Sequence, residues 1–313
     1  MNWKIKARIQ NLISTLPSEM SYALYYCVQR SLGGLKNFSP VSRLESGIEI
    51  WDKIEEQGHD PKDKVFFEVG TGRAPLAPLS YWLMGAKKIY TIDLNPYIKK
   101  ELLEDSFRYL IENQQEINVL FGPRLQKERF TKLMMLANQP SFSLDEFFKL
   151  CDVKYIAPGD AANTPLEPNC IDFHTSYNVY EHIPEPVLSA ILREGNRIVK
   201  PSGLFINKID YSDHFAHSDS SISSINFLQF SDQDWSKIAG NRYMYMNRMR
   251  HDDFSQLFGS VNQDIVPQEG NTDNRAAETL NHSDFSLDAK FGHKSKEILS
   301  IIDSWWVTKP SSA

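Results

Sequence analysis

A glycine-rich turn at residues 67–75 is the segment whose residue types and spacing most clearly suggest chemistry. It reads Phe-Glu-Val-Gly-Thr-Gly-Arg-Ala-Pro and lies between a predicted strand and a predicted helix. Gly70 and Gly72 let the chain turn sharply and bring its backbone close to a ligand that a side chain would exclude. Asp93 ends the next predicted strand about 20 residues later, where an acidic side chain can accept hydrogen bonds from both ribose hydroxyls of a nucleoside. Together these features predict a nucleoside-binding site.

Pro75 bears on the kind of nucleoside ligand. It stands where a dinucleotide-binding turn of the Gly-x-Gly-x-x-Gly type has its third glycine. Without that glycine, a close approach of a pyrophosphate is disfavoured. A nucleotide-dependent oxidoreductase stays open as an alternative function.

Three further motifs follow the turn in order: the loop 159–166, the segment 170–186 with its Glu-His pair, and the turn 198–204. In this order the sequence resembles the class I methyltransferases that use S-adenosylmethionine, in particular their small-molecule, methyltransferase type 11-like branch. The resemblance covers roughly residues 64–209. It implies transfer of a methyl group to an oxygen, nitrogen or carbon atom of a small molecule. The non-enzyme alternative is a catalytically inactive binding subunit with the same fold.

The resemblance also implies which residues hold S-adenosylmethionine. Glu68 would contact the methionine part, Asp93 the ribose and Asp160 the adenine amino group, while Leu94 flanks the adenine ring. The predicted cofactor-binding set is Glu68, Gly70, Thr71, Gly72, Asp93, Leu94, Asp160, Ala161 and Asn178. Two of them have structural alternatives, because Glu68 could cap the turn and Asp93 could cap the helix expected near Pro96.

Glu181 and His182 are the candidate catalytic residues. They are predicted to open a helix at the carboxyl end of the fourth strand, the edge where open α/β sheets bind ligands. His182 could act as a general base, because the ordinary pKa of histidine lies near neutrality. Alternatively, the pair orders the start of the helix and the floor of the pocket. A few quinone-modifying members of the family hold a divalent ion with such side chains here, which leaves metal ligation as a further alternative.

A second group of polar side chains follows the fifth predicted strand, at residues 210–219. Such a density of imidazoles and carboxylates could hold a divalent metal or a polar acceptor. Because no third clearly spaced ligand completes a metal motif, a chance cluster in a solvated loop explains these residues better than a metal site, and substrate contact is favoured over metal binding. Asp213, His214 and His217 are predicted to contact the substrate instead.

Three arginines, Arg242, Arg248 and Arg250, lie further along the same stretch. Their guanidinium groups could recognise a carboxylate or phosphate on the acceptor. A solvated helix face explains them equally well.

The elements that must position these residues are predicted from the alternation of β-rich runs and helical patterns that starts at Lys64, which indicates parallel βαβ units. We expect a Rossmann-like, three-layer α/β sandwich with a mainly parallel sheet, for which the resemblance implies seven strands. Residues 1–60 are predicted to form a helical brace or lid. Residues 61–313 are predicted to form the methyltransferase domain, with insertions at 113–150 and 211–256.

Composition narrows the partners and the compartment. The 313 residues carry a formal net charge of −6, so no general attraction to nucleic acid is expected. The 3 cysteines are few and odd in number, which favours a reducing, cytoplasmic compartment. No apolar run reaches the roughly 18 residues of a membrane span. A basic N-terminal helix could rest weakly on a membrane surface, although a brace packed on the core is the preferred interpretation.

Overall fold

One mixed sheet organises the computed structural model, which describes residues 1–36, 38–267 and 270–311. Its strands are β1 Val65–Val69, β2 Lys88–Ile92, β3 Val153–Ile156, β4 Ile171–Tyr177, β5 Val199–Asp210, β6 Gln263–Val266, β7 Gly270–Thr272 and β8 Ile301–Pro310. Their order is β3-β2-β1-β4-β5-β8-β6, with β7 also paired to β8. Strands β1 to β5 pair in parallel. Strand β8 runs antiparallel to β5, β6 and β7.

The strand count differs from the expected seven. Strand β6 pairs with residues 307–310 of β8, and β7 pairs with residues 301–304 of the same strand. The two short strands therefore occupy one edge position end to end. The predicted mainly parallel α/β sheet is confirmed. The prediction of seven strands is wrong, because two short strands, β6 and β7, stand at an edge position where one strand was expected.

Helices cover both faces of the sheet. They are α1 Trp3–Ser14, α2 Ser18–Leu32, α3 Val41–Glu56, α4 Leu76–Met84, α5 Lys100–Glu112, α6 Gln114–Phe121, α7 Lys127–Ala137, α8 Leu144–Leu150, α9 Glu185–Ile198, α10 Asp232–Ala239, α11 His251–Ser260, α12 Asn274–Thr279 and α13 Lys296–Ser300. Successive residues of a strand point to opposite faces. Phe66 accordingly joins the core under α3 to α8, and Phe67 joins the core under α9 and α11. Three layers result.

The N-terminal helices have two different environments. Trp51 and its neighbours on α3 are buried in the same core as Phe66, so α3 belongs to a helix layer of the sheet. Trp3 on α1 is buried against Phe215, in a third core that also contains Trp235 of α10. Helix α1 therefore packs on the segment that follows β5.

The two long insertions are structured. Residues 113–150 contain α6, α7 and α8, which pack on α4 and α5. Helix α11 begins within the predicted insertion 211–256 and leads into β6, so it is part of the regular alternation. Within the described ranges, no helix is long and apolar enough to cross a membrane.

Candidate active site

The glycine turn lies between β1 and α4. Gly70 and Gly72 have φ angles of 90° and 71°, a region that favours glycine. A Cβ atom on Gly70 would lie 2.5 Å from Cγ2 of Val179, whereas a Cβ atom on Gly72 would meet nothing within 4 Å. Gly70 is therefore required by packing against the segment after β4. Gly72 borders open space beside the turn, as expected where a ligand approaches the backbone.

A chain of polar contacts runs beneath the turn from β1 to β2. The hydroxyl of Thr91 donates to Oε2 of Glu68 over 3.0 Å, and it also contacts the hydroxyl of Thr71. Glu68 is only 3% exposed, and this burial, with a smaller contribution from the charge of Asp93, raises its pKa to about 8. Glu68 thus accepts a hydrogen bond from β2 and does not cap the turn.

Asp93 lies at the carboxyl end of β2, directly beside the turn. Burial raises its pKa to about 7, against the opposing effect of hydrogen bonds from Thr71, Tyr155 and the amide of Gly72. The hydroxyl of Tyr155 donates to Oδ2 of Asp93 over 3.3 Å. Helix α5 starts at Lys100, so Asp93 does not cap it. The structural alternative for this carboxylate is thereby removed.

The remaining residues of the predicted cofactor set lie at the same edge of the sheet. The loop of Asp160 is tied to Asp93 by the amide of Gly159, which donates to the Asp93 carbonyl over 2.9 Å. Leu94 is 73% exposed and presents an apolar surface beside Asp93. Asn178 has a φ angle of 54°, and its buried Oδ1 lacks a hydrogen-bond partner among the described residues. Acceptors, an apolar flank and an open glycine turn fit a nucleoside with an amino-acid tail.

Aromatic side chains of α2 form a roof over this edge, which the sequence did not assign to the site. The ring of Tyr25 stacks on Tyr243 with a centroid distance of 3.9 Å, and the guanidinium of Arg73 lies 5.7 Å from the Tyr25 ring. The hydroxyls of Tyr22 and Tyr97 lie 3.5 Å apart. A cavity of about 430 Å³ lies between α2 and residues 95–99. The tyrosines at helical spacing on α2 were a usable signal, because a tyrosine ring packs while its hydroxyl stays polar.

Glu181 and His182 do not open a helix. They lie in a 3-10 turn, Tyr180–His182, and α9 starts only at Glu185. Glu181 is 2% exposed, both of its carboxylate oxygens lack a hydrogen-bond partner within the described chain, and burial raises its pKa well above the ordinary value. Burial and the nearby His214 lower the pKa of His182 to about 4. The near-neutral pKa that favoured His182 as a general base is therefore not found.

The polar group after β5 lies against this turn. The rings of His182 and His214 are 4.9 Å apart between centroids, and those of His214 and His217 are 4.8 Å apart. Oδ2 of Asp210 lies 3.3 Å from Nε2 of His214 and 3.6 Å from Nε2 of His217. Asp210 was not singled out from the sequence, although it lies four residues before His214.

Asp213 requires a correction. It is 0% exposed, and its carboxylate accepts hydrogen bonds from Nδ2 of Asn226 at 3.0 Å and from the amide of Phe215 at 2.9 Å. With no exposed surface, it fixes the fold of its own loop and cannot contact a substrate.

The arginines also differ from expectation. Arg248 and Arg250 are buried, 3% and 0% exposed, and their guanidinium groups donate to backbone carbonyls of the chain itself. Arg242 is exposed and donates to the hydroxyl of Ser18. Neither buried arginine is free to recognise an acceptor or forms a solvated face.

A family model described as "Methyltransferase domain" matches residues 133–207. The match contains β3, β4, the Glu-His pair and α9, and the glycine turn lies before it. It covers about a quarter of the chain. The match supports a class I methyltransferase with S-adenosylmethionine as its cofactor. The predicted α/β fold is confirmed by the sheet, the match supports the predicted enzyme class and cofactor, and the roles of individual residues stay predictions.

Several solved methyltransferases resemble this chain in structure. The magnesium protoporphyrin IX methyltransferase from Synechocystis, with S-adenosylhomocysteine bound, is 11% identical with a TM-score of 0.47, covering 96% of this chain and 100% of that chain. An S-adenosylmethionine-dependent methyltransferase from Clostridium acetobutylicum is 11% identical with a TM-score of 0.46, covering 93% of this chain and 99% of that chain. One from Methanosarcina mazei is 12% identical with a TM-score of 0.46, covering 83% of this chain and 98% of that chain. No curated protein sequence matches the chain significantly.

Proposed function

We propose that this methyltransferase transfers the methyl group of S-adenosylmethionine to an oxygen, nitrogen or carbon atom of a small-molecule acceptor by in-line displacement. The sulfonium group of the cofactor supplies an activated methyl group with a good leaving group. The protein contributes position and exclusion of water. The observation that carries the proposal is the open turn at Gly72 with the Asp93 carboxylate beside it.

Each part of the cofactor has a partner in the proposed site. Asp93 would accept the ribose hydroxyls, and Glu68 beneath the turn would face the methionine part. Leu94 and Ala161 would border the adenine, with Asp160 accepting its amino group. The turn residues Gly70, Thr71 and Gly72 and the unpartnered amide oxygen of Asn178 complete the set.

The roof of α2 favours a small acceptor over a macromolecule. Stacking of Tyr25 on Tyr243 joins α2 to the segment after β5, and the Tyr22–Tyr97 contact joins it to the sheet. A macromolecular substrate would have to displace this roof, whereas a small molecule needs only a local opening. We therefore propose that α1 and α2 act as a lid, whereas α3 belongs to a helix layer of the sheet.

The acceptor side of the site is proposed to be the surface of His182, His214 and His217. These imidazoles are half-buried to exposed and lie just beyond the carboxyl ends of β4 and β5. A neutral His182 can accept a hydrogen bond from an acceptor hydroxyl or amine. Glu181 lies beneath it, so the pair would position the acceptor as the methyl group transfers.

An oxidoreductase that binds a dinucleotide is less consistent with the start of α4. Pro75 is the N-cap residue and has no amide hydrogen, and the amide of Leu76 already donates to the carbonyl of Ala74 over 2.8 Å. A pyrophosphate at a helix N-terminus needs such amides to be free.

Calorimetric titration with S-adenosylmethionine and S-adenosylhomocysteine tests the proposed site. Micromolar binding is expected, with an affinity at least tenfold weaker in Asp93→Ala. The matched control is Asp284→Ala, which removes an exposed aspartate and should bind as the wild type does. Equal affinity in Asp93→Ala would refute the assignment of the ribose site, and tight binding of a nicotinamide dinucleotide instead would favour the oxidoreductase.

A further inference from the structure

Two separate parts of the sequence bring metal-ligating side chains to one place. One ligand atom from each of Glu181, His182 and His214 lies within 4.8 Å of the other two, and the same is true of Asp210, His214 and His217. His214 is common to both groups. The first part follows β4 and the second follows β5, two strands that are neighbours in the sheet.

The distances fit the first coordination sphere of a small divalent ion. Bonds of roughly 2.0–2.1 Å from a metal to nitrogen and oxygen ligands place neighbouring ligand atoms of a tetrahedron roughly 3.3–3.5 Å apart. Oδ2 of Asp210 lies 3.3 Å from Nε2 of His214 and 3.6 Å from Nε2 of His217. The former pair lies at ion-pair distance without a well-directed hydrogen bond.

Contacts behind these ligands hold them in a suitable orientation. Oδ1 of Asp210 accepts the amide of Ser212 over 2.7 Å, which leaves Oδ2 to face the imidazoles. Nδ1 of His182 lies 2.8 Å from the carbonyl oxygen of Tyr245. A carbonyl can only accept, so Nδ1 carries the proton and the lone pair of Nε2 is directed elsewhere. This second hydrogen bond is the usual support of a metal-ligating histidine.

Glu181 supplies an independent indication of a ligand. Its carboxylate is 2% exposed, and neither oxygen has a hydrogen-bond partner among the described residues. Oε1 lies 4.0 Å from Nε2 of His182. A buried carboxylate without partners is costly unless a cation or a proton compensates it. An exposed carboxylate without protein partners would be solvated by water, but the carboxylate of Glu181 is buried.

We propose that Asp210, His214 and His217 bind one divalent transition-metal ion, with His182 and Glu181 beside His214 as further candidate ligands. A site that combines imidazole and carboxylate ligands favours zinc, manganese, cobalt or iron over magnesium or calcium, which prefer all-oxygen sites. Ligation of His217 would replace its present contact with the hydroxyl of Ser212, at 2.8 Å.

The role of the ion rests on the proposed function, although its binding does not. The site lies at the edge where the acceptor is proposed to bind. An acceptor hydroxyl that reaches a divalent cation loses its proton more readily, because the cation stabilises the resulting oxyanion. The inferred acceptor is an alcohol, phenol or enol.

The test is metal binding to full-length protein freed of metal with a chelator. Zn²⁺ is titrated by calorimetry and Co²⁺ by its visible absorption, which reports coordination geometry, both without cofactor or acceptor. One equivalent should bind, and Asp210→Asn and His214→Ala should each weaken binding at least tenfold. His293→Ala removes an exposed histidine outside the cluster and should leave binding unchanged.

S-Adenosylhomocysteine titration of the same variants shows that they are folded and tests the proposed function separately. Retained cofactor affinity with lost metal binding supports the metal site. A folded protein that binds the cofactor and takes up no stoichiometric Zn²⁺, or binds it equally well in both variants, would overturn the inference. Variant-sensitive metal binding without cofactor binding would leave the metal site standing and refute the cofactor site.

Discussion

At the scale of single residues, the proposed cofactor site contains two buried acids close together. Burial raises the pKa of Glu68 to about 8 and that of Asp93 to about 7, and the charge of Asp93 adds to the shift of Glu68. A buried acid of this kind destabilises the fold at neutral pH, and such acids are found mainly at sites where they bind a ligand. Thr91 and Thr71 donate only some of the hydrogen bonds that the two carboxylates can accept, and a bound cofactor would donate the others.

Glu68→Gln is predicted to be increasingly stable relative to the wild type as the pH rises. Because the folded-state pKa lies above the unfolded value, the native state keeps a proton that the unfolded state releases. The wild type therefore loses stability between about pH 4.5 and pH 8. A neutral glutamine avoids this loss, which is on the order of a few kcal/mol above pH 8.

Urea unfolding at pH 5 and pH 8.5 measures this difference. Glu112→Gln changes an exposed glutamate at the end of α5 and should show the same stability difference from the wild type at both pH values. If the gain of Glu68→Gln did not grow with pH, the carboxylate would have to be ionised at a much lower pH than its burial implies.

At the scale of elements, the sequence predicted which residues lie at the carboxyl ends of the strands, but it did not predict that α2 covers them. Asp93, Asp160 and the Glu-His pair each follow a buried β-rich run, and parallel strands bring their carboxyl ends to one edge. The roof of α2 depends on Tyr25 meeting Tyr243, more than 200 residues apart, and no local pattern encodes such a contact. The same limit hid the meeting of His182 with His214.

Tyr25→Ala is predicted to loosen the roof with little effect on global stability. The substitution removes the stack on Tyr243 and the contact with the Arg73 guanidinium, so α2 should open more often. Dissociation of S-adenosylhomocysteine, followed by stopped-flow displacement, should become severalfold faster. Tyr109→Ala, which truncates a ring on α5 far along the chain from the roof, is the control and should leave that rate unchanged. An unaltered rate in Tyr25→Ala would mean that α2 is a brace only.

At the scale of the whole molecule, the order of elements could be predicted from the sequence. The buried residues that bond distant elements to one another could not. The βαβ alternation predicted the sheet because strands of this texture have few alternative arrangements. Arg250 could have been an acceptor ligand or a surface residue on the same reasoning. Its burial follows from three chain segments that converge only in the folded state.

Arg250 joins the segment after β5, the start of β8 and the start of α11. Its guanidinium donates to the carbonyl oxygens of Tyr211 at 2.6 Å and Leu299 at 3.0 Å, and also to that of Ile301. Although burial lowers its pKa to about 10, the group remains charged at neutral pH. Planar, forked donors suit this role, since one group satisfies carbonyls in several directions.

Arg250→Met is therefore predicted to lower the free energy of unfolding by about 3–5 kcal/mol, because buried carbonyls lose their donor. Arg250→Lys should recover only part of this loss, since one ammonium cannot reach the same three oxygens. Arg242→Met removes an exposed arginine with a single bond to Ser18 and should cost less than about 1 kcal/mol. Urea unfolding of the three variants provides the measurement. A loss below about 1 kcal/mol in Arg250→Met would show that water replaces the guanidinium, and that hydrophobic packing alone holds the segment after β5 against the sheet.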